Sequence, residues 1–337
     1  MLTCGQPKKK TYVQTLNRMG WSMFLFDGLF YVTAILMEVI NNWSEASFTE
    51  QYEFACDLIN AFVSTWGYMF PFFAAGVFFL FLSRKNHTER IRFDTRIAPE
   101  FPLLVLAGLA LLTAGSYVNG IFCDLIGFSF PTDTVVTGSY DNASSVILYM
   151  STAIAPAFAE EFLFRGVFYT NLRPYGRTQA ILISSLLFAL MHQNIAQLFY
   201  TFAAGIAMAL MYELTGSIWC SVIYHLVNNE LATLFEIMVY GKIGDEAYVA
   251  MLIWDIVIFG LGIIAIILLT FYYKRTAFGS DSKSNREVFT RNIFPERHDT
   301  AIATTTVAKG LLTPGMVTFV STVAVLMLLT WLKLLGT

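Results

Sequence analysis

The chain has 337 residues, of which 56% are apolar and only 13% charged, with a mean hydropathy of +0.60. A soluble domain carries roughly 45–50% apolar and 25% charged residues, so a soluble globule is excluded, and several apolar runs of about 20 residues, long enough to cross a bilayer, are required. The net charge of −3 makes nucleic acid a poor partner, and four scattered cysteines, Cys4, Cys56, Cys123 and Cys220, have neither the CxxC spacing of a zinc site nor the density of a disulfide scaffold.

Near the N-terminus, Lys8-Lys9-Lys10 precedes an apolar run that is too long for a signal peptide and lacks a small-residue cleavage site, which predicts a retained first span. Nine apolar runs follow in chain order, near 19–40, 58–82, 101–120, 146–170, 178–194, 197–213, 217–238, 248–273 and 312–335. With the N-terminus cytoplasmic, eighteen of the 21 Lys and Arg residues fall in cytoplasmic segments, the exceptions being Arg165, Lys242 and Lys333. The expected fold is an all-α polytopic membrane protein of eight or nine transmembrane helices, because continuous apolar runs form helices and open sheet edges cannot sit in lipid. It divides into helices one to three (1–120), a core of helices four to seven (146–238), and a C-terminal part (248–337) with a cytoplasmic loop over 274–311. Compact loops point to a multi-pass protein of a prokaryotic cell membrane. Cys56 and Cys123 both fall near the outer face, where a disulfide can form. No pair of Gly/Pro-broken helices recurs in two halves, which weakens a repeat-built transporter.

An ionisable group inside the bilayer costs several kcal/mol and is a functional candidate by default. Glu38, Asp57, Glu213 and Glu236 stand at span ends and can reach the interface. Asp27 and Asp255 lie deeper, each alone in its span, and an interhelical hydrogen bond accounts for them. The fourth span differs, since AFAEEFLFRG gathers Glu160, Glu161 and Arg165 in otherwise apolar sequence. Glu161 and Arg165 are i and i+4 on one helix face and can pair, whereas the i+4 neighbour of Glu160 is Phe164. Adjacent residues point about 100° apart, so Glu161 with Arg165 is expected to be a structural pair, and Glu160 is left to face a cavity as a general base.

Of four histidines, His192 and His225 lie in nearby spans. At about 1.5 Å per residue, Glu160 and His192 each sit about 21 Å from the end at which their span begins, one from the outer side and one from the inner, so they share a level near the middle of the membrane. His225 and Asn229, i and i+4 on one face, lie about 12 and 18 Å in. One carboxylate, two imidazoles and a carboxamide, with no serine or cysteine nucleophile in the set, suit water-mediated hydrolysis: a carboxylate and an imidazole activate water, and the other two groups donate to an oxyanion. Two His and one Glu (Glu160, His192, His225) can alternatively hold a zinc ion with an open water position. A proton-coupled transporter using the same groups as a relay, and a non-enzymatic membrane scaffold or immunity protein, are the rival readings.

Read as EExxxR (Glu160, Glu161, Arg165), FxxxH (Phe188, His192) and HxxxN (His225, Asn229), the three ordered motifs resemble the CAAX-protease and bacteriocin-processing family, as do the flanking AEEFLFRGVFY, SSLLFALMH and TGSIWCSVIYHLVNN. The resemblance implies a Rce1-type intramembrane glutamate endopeptidase acting on a membrane-proximal or lipidated peptide. By motif position, Glu160 and His192 would activate water, His225 and Asn229 would form the oxyanion hole, and Glu161, Arg165 and Phe188 would support the site. No cofactor is expected, since only Glu160, His192 and His225 would be available to a metal. The partners expected are a peptide or lipidated protein substrate and the bilayer.

Overall fold

The computed structural model describes residues 6–47, 53–84, 90–93, 95, 97–128, 153–239, 245–279 and 304–335. The start of the fourth expected span and most of the 274–311 loop lie outside the described residues. Three long helices come first, α1 (Gln6–Ser47), α2 (Glu53–Ser83) and α3 (Phe101–Leu125). The short α4 (Ala155–Glu161) runs directly into a π-helix over Phe162–Tyr169 and a last turn, Thr170–Leu172. Next come α5 (Arg177–Met191), α6 (Leu198–Thr215), α7 (Ile218–Val239) and α8 (Asp245–Gly279). The chain ends with α9 (Thr304–Leu311), bent by 64° against α10 (Pro314–Leu335). Among the described residues there is no strand, only an isolated antiparallel bridge between Phe93 and Ser217.

Among the described residues five helices, α1, α2, α3, α6 and α8, are long and apolar enough to cross a membrane, and the bent α9–α10 pair makes a sixth if it is one span. The fifth and seventh expected spans are not among them, for physical reasons, and the fourth is described only from 153 onward, where α4, the π-helix and the last turn follow one another without a break. α5 has 15 residues and reaches about 22 Å, short of a hydrocarbon core of about 30 Å. α7 carries His225, Asn228, Asn229 and Glu230 in its middle. α4 and the π-helix, with parts of α5 and α7, sit inside the bundle, whereas Leu182 and Leu186 of α5 are exposed. α4 packs on α2 and α7, and α5 packs on α6, while α3 packs on both α6 and α8. Almost every residue of α4 and the π-helix is buried, whereas α8 exposes Ile253, Ile256, Ile264 and Phe271. Protein, not lipid, therefore surrounds the polar side chains, which is the condition under which a membrane tolerates them.

Close approach between helices relies on small residues, as in other membrane bundles. A Cβ on Gly262 of α8 would lie 2.2 Å from the Ala110 Cβ of α3, and one on Gly205 of α6 would lie 2.8 Å from the Ser185 Cβ of α5. The second contact brings the Gly205 backbone to the site. Cys56 and Cys123 are free thiols, which corrects the expected disulfide. Cys56 Sγ instead donates to Ser44 Oγ at 3.4 Å, and Cys123 Sγ accepts from Asn119 Nδ2 at 3.5 Å.

Candidate active site

Where α4 turns into the π-helix, Glu160 and Glu161 are both buried. One oxygen of Glu160, Oε1, accepts a hydrogen bond from the Tyr68 hydroxyl of α2. The other, Oε2, is buried without a hydrogen-bond partner among the described residues and lies 3.9 Å from His225 Nε2, beyond hydrogen-bond distance. Glu161 is saturated by contrast. It accepts from Arg165 Nη1 at 2.7 Å, from His225 Nδ1 at 3.2 Å and from the Ser221 hydroxyl. The expected Glu161–Arg165 pair thus forms, with neither side chain exposed.

Arg165 also donates through Nη2 to the Gly205 carbonyl at 2.8 Å, and its guanidinium lies 4.7 Å from the centre of the Phe188 ring. Phe188 in turn sits edge-on to both imidazoles, its centroid 4.9 Å from His192 and 5.9 Å from His225. The three motifs therefore meet around one phenyl ring. Sequence geometry had assigned the two glutamates separate faces, yet both approach His225. Glu161 Oε1 lies 3.2 Å from Nδ1 and Glu160 Oε2 lies 3.9 Å from Nε2, so the two side chains meet opposite edges of one ring.

Hydrogen-bond partners assign the imidazole protons. His192 caps α5, and its Nδ1 lies 2.8 Å from the Phe188 carbonyl oxygen, which can only accept. The proton is then on Nδ1, and Nε2 presents a lone pair, as a base requires. His225 Nδ1 faces the Glu161 carboxylate and likewise carries a proton. Its Nε2, on the opposite edge of the ring, lies 3.9 Å from Glu160 Oε2.

Asn229 stands one turn beyond His225. Its Nδ2 donates to the Ala153 carbonyl at 3.3 Å and its Oδ1 accepts from Asn228 Nδ2 at 3.3 Å. Asn228 is itself held through Oδ1 by the Tyr200 hydroxyl at 3.0 Å. Tyr200 and Asn228 line a cavity of about 230 Å³ with Leu112, Trp254 and Asp255. Asp27, the other lone acid of the sequence, accepts from Gln193 Nε2 at 2.9 Å, the interhelical bond expected of it.

Two contributors escape sequence reasoning. Tyr68 has no local signal. Ser221 did have one, because Ser217, Ser221, His225 and Asn229 recur every four residues along α7. Ser221 lies 3.1 Å from the Met208 carbonyl as well as against Glu161, so its hydroxyl proton is committed within the network. Among the described residues no three His, Cys, Asp or Glu side chains are arranged to hold a metal ion, Glu160, His192 and His225 included.

Residues 142–231 match the family model of Rce1-like proteins, described as type II CAAX prenyl endopeptidase Rce1-like. The matched stretch contains Glu160, Glu161, Arg165, Phe188, His192, His225 and Asn229. No curated protein and no solved structure matches the chain.

Proposed function

We propose that this multi-pass membrane protein, whose segment 142–231 is of the Rce1-like CAAX endopeptidase family, hydrolyses a peptide bond of a membrane-proximal or lipidated peptide in the bilayer of a prokaryotic cell. The observation that carries the reading is the Glu160 carboxylate, fixed through one oxygen by Tyr68 while the other faces His225. Such a group is preorganised to take a proton without first breaking a strong bond of its own.

Glu160 Oε2 and His192 Nε2 deprotonate and aim a water at the substrate carbonyl. The water oxygen bonds to the carbonyl carbon, its proton passes to Glu160, and the carbonyl electron pair moves onto oxygen. His225 Nε2–H, as the imidazolium, and the Asn229 amide donate to that oxyanion. Collapse breaks the C–N bond, and Glu160 returns the proton to the leaving amine. Glu161 keeps His225 in the required tautomer and supplies the negative charge that stabilises the imidazolium, the role an acid plays beside a catalytic histidine in other hydrolases.

The test is cleavage of a library of lipid-proximal peptides by purified protein, wild type beside Glu160→Gln. Cleavage by the wild type alone is the expected result; equal cleavage by both removes Glu160 from the chemistry. A Glu160→Gln variant that keeps full biological output would instead favour the scaffold reading.

A further inference from the structure

A second charged cluster lies outside the catalytic set, where the last turn of α6 meets the start of α5 and of α7. Glu213, only 2% exposed, accepts from Arg173 through Nε at 2.9 Å and Nη2 at 2.7 Å, and from the Tyr169 hydroxyl at 2.5 Å. Arg173 alone balances its charge. Two further guanidiniums nevertheless converge on the same carboxylate, Arg177 through Nε at 3.3 Å and Arg92 through Nη2 at 3.6 Å. Neither has another carboxylate within ion-pair distance among the described residues; Glu100, which accepts from Tyr273 at 3.4 Å, pairs with none of the three.

The cluster is graded from outside to inside. The Arg92 side chain is 46% exposed and that of Arg177 is 11% exposed, and Arg177 Nη1 is buried without a hydrogen-bond partner. Arg92 is held in place, since its backbone N–H donates to the Tyr212 hydroxyl at 2.8 Å, its carbonyl accepts from Ile218 N at 3.1 Å, and its guanidinium lies over the Tyr212 ring. α5 begins at Arg177 with no side-chain cap, so the positive end of its dipole adds to the field. α6, one of the helices long and apolar enough to cross a membrane, ends here at Thr215, as expected of a cluster near a membrane face. The exposed Phe93 ring beside Trp219 fits the same level, where aromatic side chains gather.

We infer that Arg92 and Arg177, framed on Glu213, bind the phosphate of an anionic lipid headgroup at the membrane face that carries the basic loops. Guanidinium forks match phosphate oxygens in pairs, and phosphate is the anion present at this depth. A substrate's C-terminal carboxylate is the competing occupant. Glu213 lies eight residues along α6 from Gly205, about 12 Å from the catalytic level, but no observation links the two places by a groove.

Native mass spectrometry of the full chain in neutral detergent tests the assignment, with phosphatidylglycerol and phosphatidylcholine offered together. Wild type is expected to retain one phosphatidylglycerol in preference. Arg92→Gln should lower that retention about fivefold, the equivalent of about 1 kcal/mol per basic residue at an anionic surface, and Arg92→Lys should restore part of it. Equal retention of the two lipids, or undiminished phosphatidylglycerol on Arg92→Gln, overturns the proposal. Displacement by millimolar inorganic phosphate would assign the site to a free anion, and displacement by a peptide acid but not its amide would assign it to substrate; either result also overturns it. The two-lipid comparison on wild type needs no variant and decides the case even where a variant fails to accumulate.

Discussion

Arg165→Met is the substitution whose cost the structure defines best. The guanidinium has no exposed surface and makes two short hydrogen bonds, 2.7 Å to Glu161 and 2.8 Å to the Gly205 carbonyl. Methionine fills most of the volume but leaves Glu161 as a buried carboxylate with Ser221 and His225 as its remaining partners, and leaves the Gly205 carbonyl without this donor. Breaking a buried pair from one side costs about 3–5 kcal/mol. At an unfolding entropy of about 2.1 cal/mol/K per residue, that corresponds to a fall of about 4–7 °C in Tm for a chain of this length. Glu161→Gln should destabilise by a similar amount, since it strands Arg165 instead. The double variant should melt above the sum of the two losses, because removing both partners strands neither. Thermal unfolding of the four proteins in one detergent provides the cycle. A Tm for Arg165→Met within about 1 °C of wild type would refute the argument that this pair holds the site together.

Other expectations follow from the same geometry. Glu160→Gln should abolish hydrolysis while its Tm stays near wild type, and residual turnover in the purified variant would exclude Glu160 as the base. Ser221→Ala should keep most of its activity although it loses a buried hydrogen bond worth about 1–3 kcal/mol; a rate loss as deep as that of Glu160→Gln would make Ser221 a nucleophile and displace the water mechanism. Asn229→Ala should lower kcat by about 10²–10³ with KM little changed, as for loss of an oxyanion donor. Asn228→Ala should lower kcat by a smaller factor, since Asn228 fixes the Asn229 amide without touching the reacting atoms, and an Asn228 variant with wild-type kcat would show that this orientation does not matter.

The candidate site was legible because ionisable residues are scarce in such an apolar chain. Glu160, Glu161, Arg165, His192 and His225 stand out by type, and helix periodicity was enough to pair Glu161 with Arg165. What periodicity leaves out is the reach of neighbouring side chains: Glu160 and Glu161 approach different nitrogens of the His225 ring, and the adjacent carboxamides of Asn228 and Asn229 meet across the helix surface. Tyr68 is one of sixteen tyrosines, set 92 residues before the carboxylate it holds, and nothing local distinguishes it from a packing aromatic.

Glu213 shows the same limit from the other side. At a span end it reads as an interfacial acid of little consequence, whereas the folded chain buries it beneath three arginines drawn from 92, 173 and 177. Hydropathy finds apolar runs one at a time and has no term for what surrounds them. The polar side chains of α4 and α7 are covered by other helices, so a sequence scan counts these elements as spans of the same standing as α3 or α8. Their shielding is also what permits the chemistry. A carboxylate such as Glu160 persists at this depth only where protein replaces lipid on every side, and the same enclosure strengthens each charge interaction in the site by lowering the local dielectric. The segments that depart furthest from the composition of a membrane span are therefore the ones that hold the candidate site.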